Sequence, residues 1–214
     1  MAGLSERLAE IRERITRAGG DVDSIALVAV TKDFGVEAVN AAIDNGLVDV
    51  GENRADQLAA KAPAITRDVR WHYLGRVQRN QVRKIAAEVS LWQAVDRVAA
   101  GEEIAKRAPG AAVLVQVNIS GEPQKHGAGT GAVPQLVDDL RGRGLDVRGL
   151  MAVGPTGPPE AARAGFKALV ALADRLALPV RSMGMTDDLE VAVQEGSTML
   201  RIGRGLFGAR PSTT

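Results

Sequence analysis

The chain has 214 residues, 45% hydrophobic and 25% charged, with 24 glycines and no cysteine. That balance is ordinary for a chain that buries a core, which excludes disorder, collagen and coiled coil. The lack of cysteine excludes disulfides, thiolate metal sites and a thiol nucleophile. With 27 basic against 26 acidic residues, and only two Trp, one Tyr and three Phe, it carries neither the electrostatic footprint nor the stacking platform of a nucleic-acid binder.

Leu4, Leu8, Ile11 and Ile15 recur at helical spacing with charged residues between them, which predicts an amphipathic helix over 1–20 ended by Gly19-Gly20. Neither this segment nor any later one has the apolar stretch of a signal peptide or the roughly 20 apolar residues of a membrane span. A cytoplasmic protein with no membrane partner is expected, and Asn118-Ile119-Ser120 reads as a chance sequon. Eight apolar runs follow: Leu27–Thr31, Val48–Asn53, Arg70–Gly75, Leu91–Asp96, Ala112–Ile119, Val147–Gly154, Val180–Met185 and Met199–Phe207. Helical patterns separate them near 35–46, 54–62, 78–88, 97–108, 132–143, 158–176 and 187–195, several stopping at a glycine. Alternation of this kind implies parallel strands with crossover helices, in an open sheet or a closed barrel. Residues poorly suited to a strand interior fall at the C-terminal ends of most runs, and in a barrel those ends share one face, where loops build the site. The expectation is an α/β fold, a single (β/α)8 TIM barrel over 1–214 with an extra N-terminal helix. Gly127-Ala128-Gly129-Thr130-Gly131 reads as a mobile loop after the fifth strand, at most a lid.

Lys32 ends the first apolar run, so its amine points into the barrel mouth. Partial burial disfavours an ammonium, and a neutral amine beside a carbonyl compound forms a Schiff base; a solvated lysine opening a loop is the plainer alternative. At the last two strand ends, Ser182-Met183-Gly184-Met185-Thr186 and Arg201-Ile202-Gly203-Arg204-Gly205 combine small and hydroxyl residues. Thr186 is positioned to cap the next helix, and the glycines permit close backbone approach, which makes a phosphate cup where barrels commonly hold one. Asp187 and Asp188 suit that cup only if turned outward. Gly203 to Gly208 spells GxGxxG, but the chain ends six residues later, with no room for a dinucleotide-binding βαβ unit. Arg201 is placed to bond a ring nitrogen, a carboxylate or a phosphate. His72, and similarly Glu52 and Asn53, face the choice between a pocket role and the core. His126 reads as a surface residue. Two histidines and no cysteine leave few transition-metal ligands, so no metal is expected.

The stretches Val28-Ala29-Val30-Thr31-Lys32, Gly51-Glu52-Asn53, Trp71-His72-Tyr73-Leu74-Gly75, Val117 to Glu122 with Lys125-His126-Gly127, Gly149-Leu150-Met151, Ser182 to Thr186, and Gly196-Ser197-Thr198 through Arg201-Ile202-Gly203 resemble, in order, the pyridoxal-phosphate homeostasis proteins. The resemblance implies the N-terminal barrel of alanine racemase without that enzyme's β-rich second domain, for which 214 residues leave no room. It implies pyridoxal 5'-phosphate (PLP) as cofactor, joined to Lys32 as a Schiff base. Arg201 would face the pyridine nitrogen, and Thr186, Gly203 and the Arg204 backbone would hold the phosphate. Asn53 and Ser182 would line the pocket, with His72 a further lining candidate. The chain departs from the family at Phe34 and Gln81, where lysines are frequent, and at Arg204, where Ser or Thr is common.

A guanidinium at the ring nitrogen disfavours its protonation and so weakens the electron sink that amino-acid chemistry requires. Two-base racemisation needs a second acid or base opposite the lysine, and the chain has one tyrosine, Tyr73. The expectation is a non-catalytic PLP carrier with no catalytic residues, monomeric, releasing the cofactor to apo-enzymes. Two alternatives remain: a PLP-dependent amino-acid racemase, and a cofactor-free barrel enzyme whose Lys32 attacks a phosphorylated metabolite.

Overall fold

The structure, a computed structural model, describes residues 3–122 and 126–209. Its elements alternate as the apolar runs predict: α1 (Leu4–Arg17), β1 (Ala26–Val30), α2 (Val36–Asp44), β2 (Asp49–Glu52), α3 (Ala55–Lys61), β3 (Arg70–Tyr73), α4 (Arg79–Ile85), β4 (Val89–Val95), α5 (Val98–Arg107), β5 (Ala112–Asn118), β6 (Ala128–Gly129), α6 (Val133–Gly142), β7 (Asp146–Met151), α7 (Arg163–Arg175), β8 (Val180–Ser182), α8 (Leu189–Gln194), β9 (Met199–Ile202) and α9 (Arg204–Phe207). All strand pairings are parallel, in the order β4-β3-β2-β1-β9-β8-β7-β5, and the β4–β5 pairing closes the ring. Eight strands make the barrel, because β6 pairs only with the end of β5 and stands outside the closure.

Alternation along each strand divides the core in two. Residues facing the helices, among them Ala29, Val50, Trp71, Tyr73, Trp92, Val113, Leu150 and Leu200, join the larger cluster. Those facing the lumen include Val28, Leu91, Leu114, Met151 and Met199. The same alternation turns His72, Gln93, Ser182 and Arg201 inward, so the lumen is partly polar. Helix α1 buries Leu4, Leu8, Ile11 and Ile15, each burial worth about 1.5–3 kcal/mol relative to exposure. It docks on α8 and α9 at the chain's other end, where Arg7 Nη1 donates to Leu206 O at 3.2 Å.

Two expectations about local structure change. The run Met199–Phe207 is a four-residue strand and then a helical turn, because its apolar residues serve first the barrel wall and then a cap against α1. Residues 127–131, read as a mobile loop, include the β6 pairing Val117↔Ala128 and Asn118↔Gly129, followed by a 3-10 turn over Thr130–Ala132. Asn118 is committed within its own turn: its Oδ1 accepts N–H bonds from Ser120 and Gly121, and its Nδ2 donates to Glu122 O. Among the described residues no helix is long and apolar enough to cross a membrane. Lys125, part of the motif after the fifth strand, lies outside the described residues.

Candidate functional site

A cavity of about 240 Å³ opens at the C-terminal ends of the strands, walled by residues of β1, β7 and β9 and the segments that follow β1, β2, β3, β7, β8 and β9. Lys32 and Val30 come from the first strand end, Asn53 and Leu74 from the second and third, Met151 and Val153 from β7 and its loop, and Thr186, Arg201, Gly203 and Arg204 from the last two units. A second cavity of about 440 Å³ shares Val30, Lys32, Gly203 and Arg204 with it and extends toward Phe34, Gly208 and Ala209. Lys32 therefore stands between two open volumes. Of the residues expected from sequence, Lys32, Asn53, Thr186, Arg201, Gly203 and Arg204 are brought to one cavity wall.

Arg201 is the buried charge of the site. Its side chain is only 5% exposed, Nη1 donates to Ser182 Oγ at 2.7 Å, and Nη2 donates to Ala152 O at 2.7 Å. Burial lowers its pKa to about 10, against an opposing pull from Asp188. Among the described residues no carboxylate lies within ion-pair distance of it. A buried guanidinium with no carboxylate in contact is costly, and an acceptor on a ligand would relieve it.

Thr186 does not cap α8 as expected. That helix starts at Leu189, and Thr186 Oγ1 instead accepts the Gly205 N–H at 3.0 Å, tying the loop after β8 to the first turn of α9. Gly205 lies close enough that a Cβ there would meet the Thr186 side chain at 3.1 Å. Of the neighbouring aspartates, Asp187 stays on the cavity wall and Asp188 is held within its own loop. Asp187 pairs with the Arg204 side chain, and Asp188 Oδ1 accepts the Met185 N–H at 2.6 Å. Gly184 has φ +98°, and a side chain there would strike Leu200, so it serves the packing of the loop. Gly75 lets the end of β3 pass against the Asn53 carbonyl, where a Cβ would fall on the oxygen.

Two expected lining residues lie beneath the cavity. Ser182 is fully buried and reaches the site only through Arg201. His72 is 3% exposed and sits deeper in the lumen, with Nε2 3.0 Å from Asp49 Oδ1 and Nδ1 2.7 Å from Gln93 Nε2. Glu52 faces away from the lumen, paired with Lys61 of α3. Sequence reading passed over Gln93, although a polar residue inside Leu91-Trp92-Gln93-Ala94-Val95 was a legible signal. It also passed over Arg14, whose guanidinium bonds both Glu190 oxygens at 2.6 and 2.8 Å and donates to Thr186 O at 2.8 Å. Helix α1 thus braces the site. Arg14→Ala is expected to cost about 1 kcal/mol and to speed amide exchange over 184–188 selectively; unchanged exchange there would show that the loop holds without α1.

A parallel barrel with an inward lysine just past its first strand and an inward arginine on its last defines the class of the alanine racemase barrel. Residues 7–211 match the family model described as alanine racemase, N-terminal domain. A pyridoxal phosphate homeostasis protein of Pseudomonas aeruginosa is 37% identical, over 98% of this chain and 97% of its own. PipY of Synechococcus elongatus, solved without PLP, is 31% identical with a TM-score of 0.85, covering 96% of this chain and 100% of that one. The same protein with PLP bound matches at 29% identity and a TM-score of 0.81, with the same coverage. The chain belongs to the alanine racemase N-terminal domain family and, within it, to the pyridoxal phosphate homeostasis proteins.

Proposed function

We propose that the chain binds pyridoxal 5'-phosphate at the barrel mouth, masks its aldehyde on Lys32 and releases it to apo-enzymes, as a monomeric cytoplasmic carrier. The observation that carries this reading is the placement of Lys32 and the buried Arg201 on the wall of one cavity. Bound there, the cofactor supplies an aldehyde, which condenses with a neutral amine. The donor set fits it: Lys32 offers the amine, Arg201 offers N–H groups to an aromatic nitrogen, and Gly203 and Arg204 offer backbone to a phosphate beside Thr186. Asn53 lines the same cavity.

The reading as carrier rather than racemase draws support from Tyr73. It points outward from β3, fully buried, with its OH donating to Gln81 Oε1 at 3.0 Å and its ring edge-on to Trp92. Burial, with a contribution from Asp56, pushes its pKa up to about 12. A phenol so placed does not reach the cavity to exchange a proton opposite Lys32.

Borohydride reduction of PLP-treated protein, followed by peptide mass mapping, tests the reading. The expected adduct is on Lys32. An adduct only on another residue, or none, overturns it, and sustained turnover of an amino acid by purified protein points to the racemase instead.

A further inference from the structure

We infer that Gln93 and His72 are positioning residues for Arg201, joined through Ser182 in a one-way hydrogen-bond relay that crosses the barrel lumen and is anchored at Asp49. The relay has four bonds. Arg201 Nη1 and Ser182 Oγ are 2.7 Å apart, Ser182 Oγ and Gln93 Oε1 2.7 Å, Gln93 Nε2 and His72 Nδ1 2.7 Å, and His72 Nε2 and Asp49 Oδ1 3.0 Å. They link β9, β8, β4, β3 and β2, five of the eight barrel strands.

Its ends, with a neutral imidazole between them, fix its direction. A guanidinium only donates, and an ionised carboxylate only accepts. Asp49 is ionised: burial would raise its pKa, but hydrogen bonds from His72 and Arg70 hold it at about 2. With a singly protonated imidazole between them, each group donates toward Asp49: Arg201 to Ser182, Ser182 to Gln93, Gln93 to His72 and His72 to Asp49. The network thereby assigns the Nε2–H tautomer to His72 and one orientation to the Gln93 amide. The second N–H of Gln93 is also engaged, with Met199 Sδ at 3.2 Å. A buried network satisfied at every member specifies one arrangement of its groups.

The consequence falls on Arg201. Its long side chain would otherwise sample several rotamers, but Ser182 and the Ala152 carbonyl hold the guanidinium plane, and the relay holds Ser182. Every donor in the relay below Arg201 points away from the cavity, so the relay leaves no acceptor facing the ligand along this line. On the proposed function, on which this inference rests for its ligand, that polarity selects an unprotonated ring nitrogen.

Nitrogen NMR of the cofactor-free protein with labelled histidine tests the relay directly, since the chain has only two histidines. The expected pattern for His72 is protonated Nε2 and unprotonated Nδ1. Gln93→Met, close in size but unable to make the bonds, is expected to change that pattern, weaken PLP binding about tenfold and shift the visible absorption maximum, readouts that a loss of packing alone would not move. An Nδ1–H tautomer or a doubly protonated ring in the wild type, which needs no variant to fold, overturns the relay. So does folded Gln93→Met with wild-type affinity and spectrum. Wild-type protein that takes up no PLP overturns the proposed function instead, and the His72 pattern in wild type against Gln93→Met then decides the relay by itself.

Discussion

Lys32→Ala folds with wild-type cooperativity but develops no visible absorption band when PLP is added, and its affinity for the cofactor falls by about two orders of magnitude, or roughly 2.8 kcal/mol. Folding survives because Lys32 lies past the last residue of β1, outside the ladder that pairs Ala29 with Val50 and Ile202. Its neighbours Val30 and Thr31 are buried without it. Binding is weakened rather than abolished because Arg201 and the backbone at Gly203 and Arg204 remain on the cavity wall. Equilibrium titration followed by absorbance separates the two effects. A variant with an undiminished band would place the reactive amine elsewhere, whereas complete loss of binding would mean that the other contacts contribute little by themselves.

The barrel was legible because its requirements repeat. Eight buried runs at regular spacing, helices stopped by glycine and polar residues gathered at one end of each strand are consequences of closure, and each is visible in a single unit. Lys32 and Arg201 were legible for a related reason: a charged side chain directly after or within Leu27–Thr31 and Met199–Ile202 contradicts its surroundings unless it faces a site. Gln93 carried the same contradiction in the middle of its strand. Its meaning depended on Ser182, 89 positions away, and on His72, and no local pattern encodes such a pairing.

What could not be read was the direction in which equivalent polar residues turn. Glu52 and Asn53 are adjacent, yet at the end of β2 one turns to α3 and the other to the cavity. Thr186 had the composition of a helix cap, but the first turn of α9, distant in sequence, offered its hydroxyl a backbone N–H. In both cases the partner chosen in the closed barrel overrode a local preference.

The second lysine near the site is expected to matter for the fold rather than for the chemistry. Lys61 is buried on α3, where Nζ forms an ion pair with Glu52 and donates to the Thr31 carbonyl at 2.9 Å. Thr31 Oγ1 donates to the same Glu52 oxygen at 2.8 Å. Glu52 is fully buried, and its other oxygen, Oε2, has no partner. Lys61→Met therefore leaves a buried carboxylate with one hydrogen bond and no counter-charge, an arrangement that costs about 3–5 kcal/mol. Urea unfolding measures the loss. Lys61→Met combined with Glu52→Met is expected to recover most of it, because replacing a buried pair by apolar groups of similar size is often close to neutral. A single variant within about 0.5 kcal/mol of wild type, or a double variant worse than the single, would refute this account. The same substitution reaches the site through one atom: without Lys61 the Thr31 carbonyl loses its donor, and Thr31 is the residue on which Lys32 is mounted. Weaker PLP uptake by folded Lys61→Met, with the adduct still on Lys32, is the expected signature of a lysine that aims another.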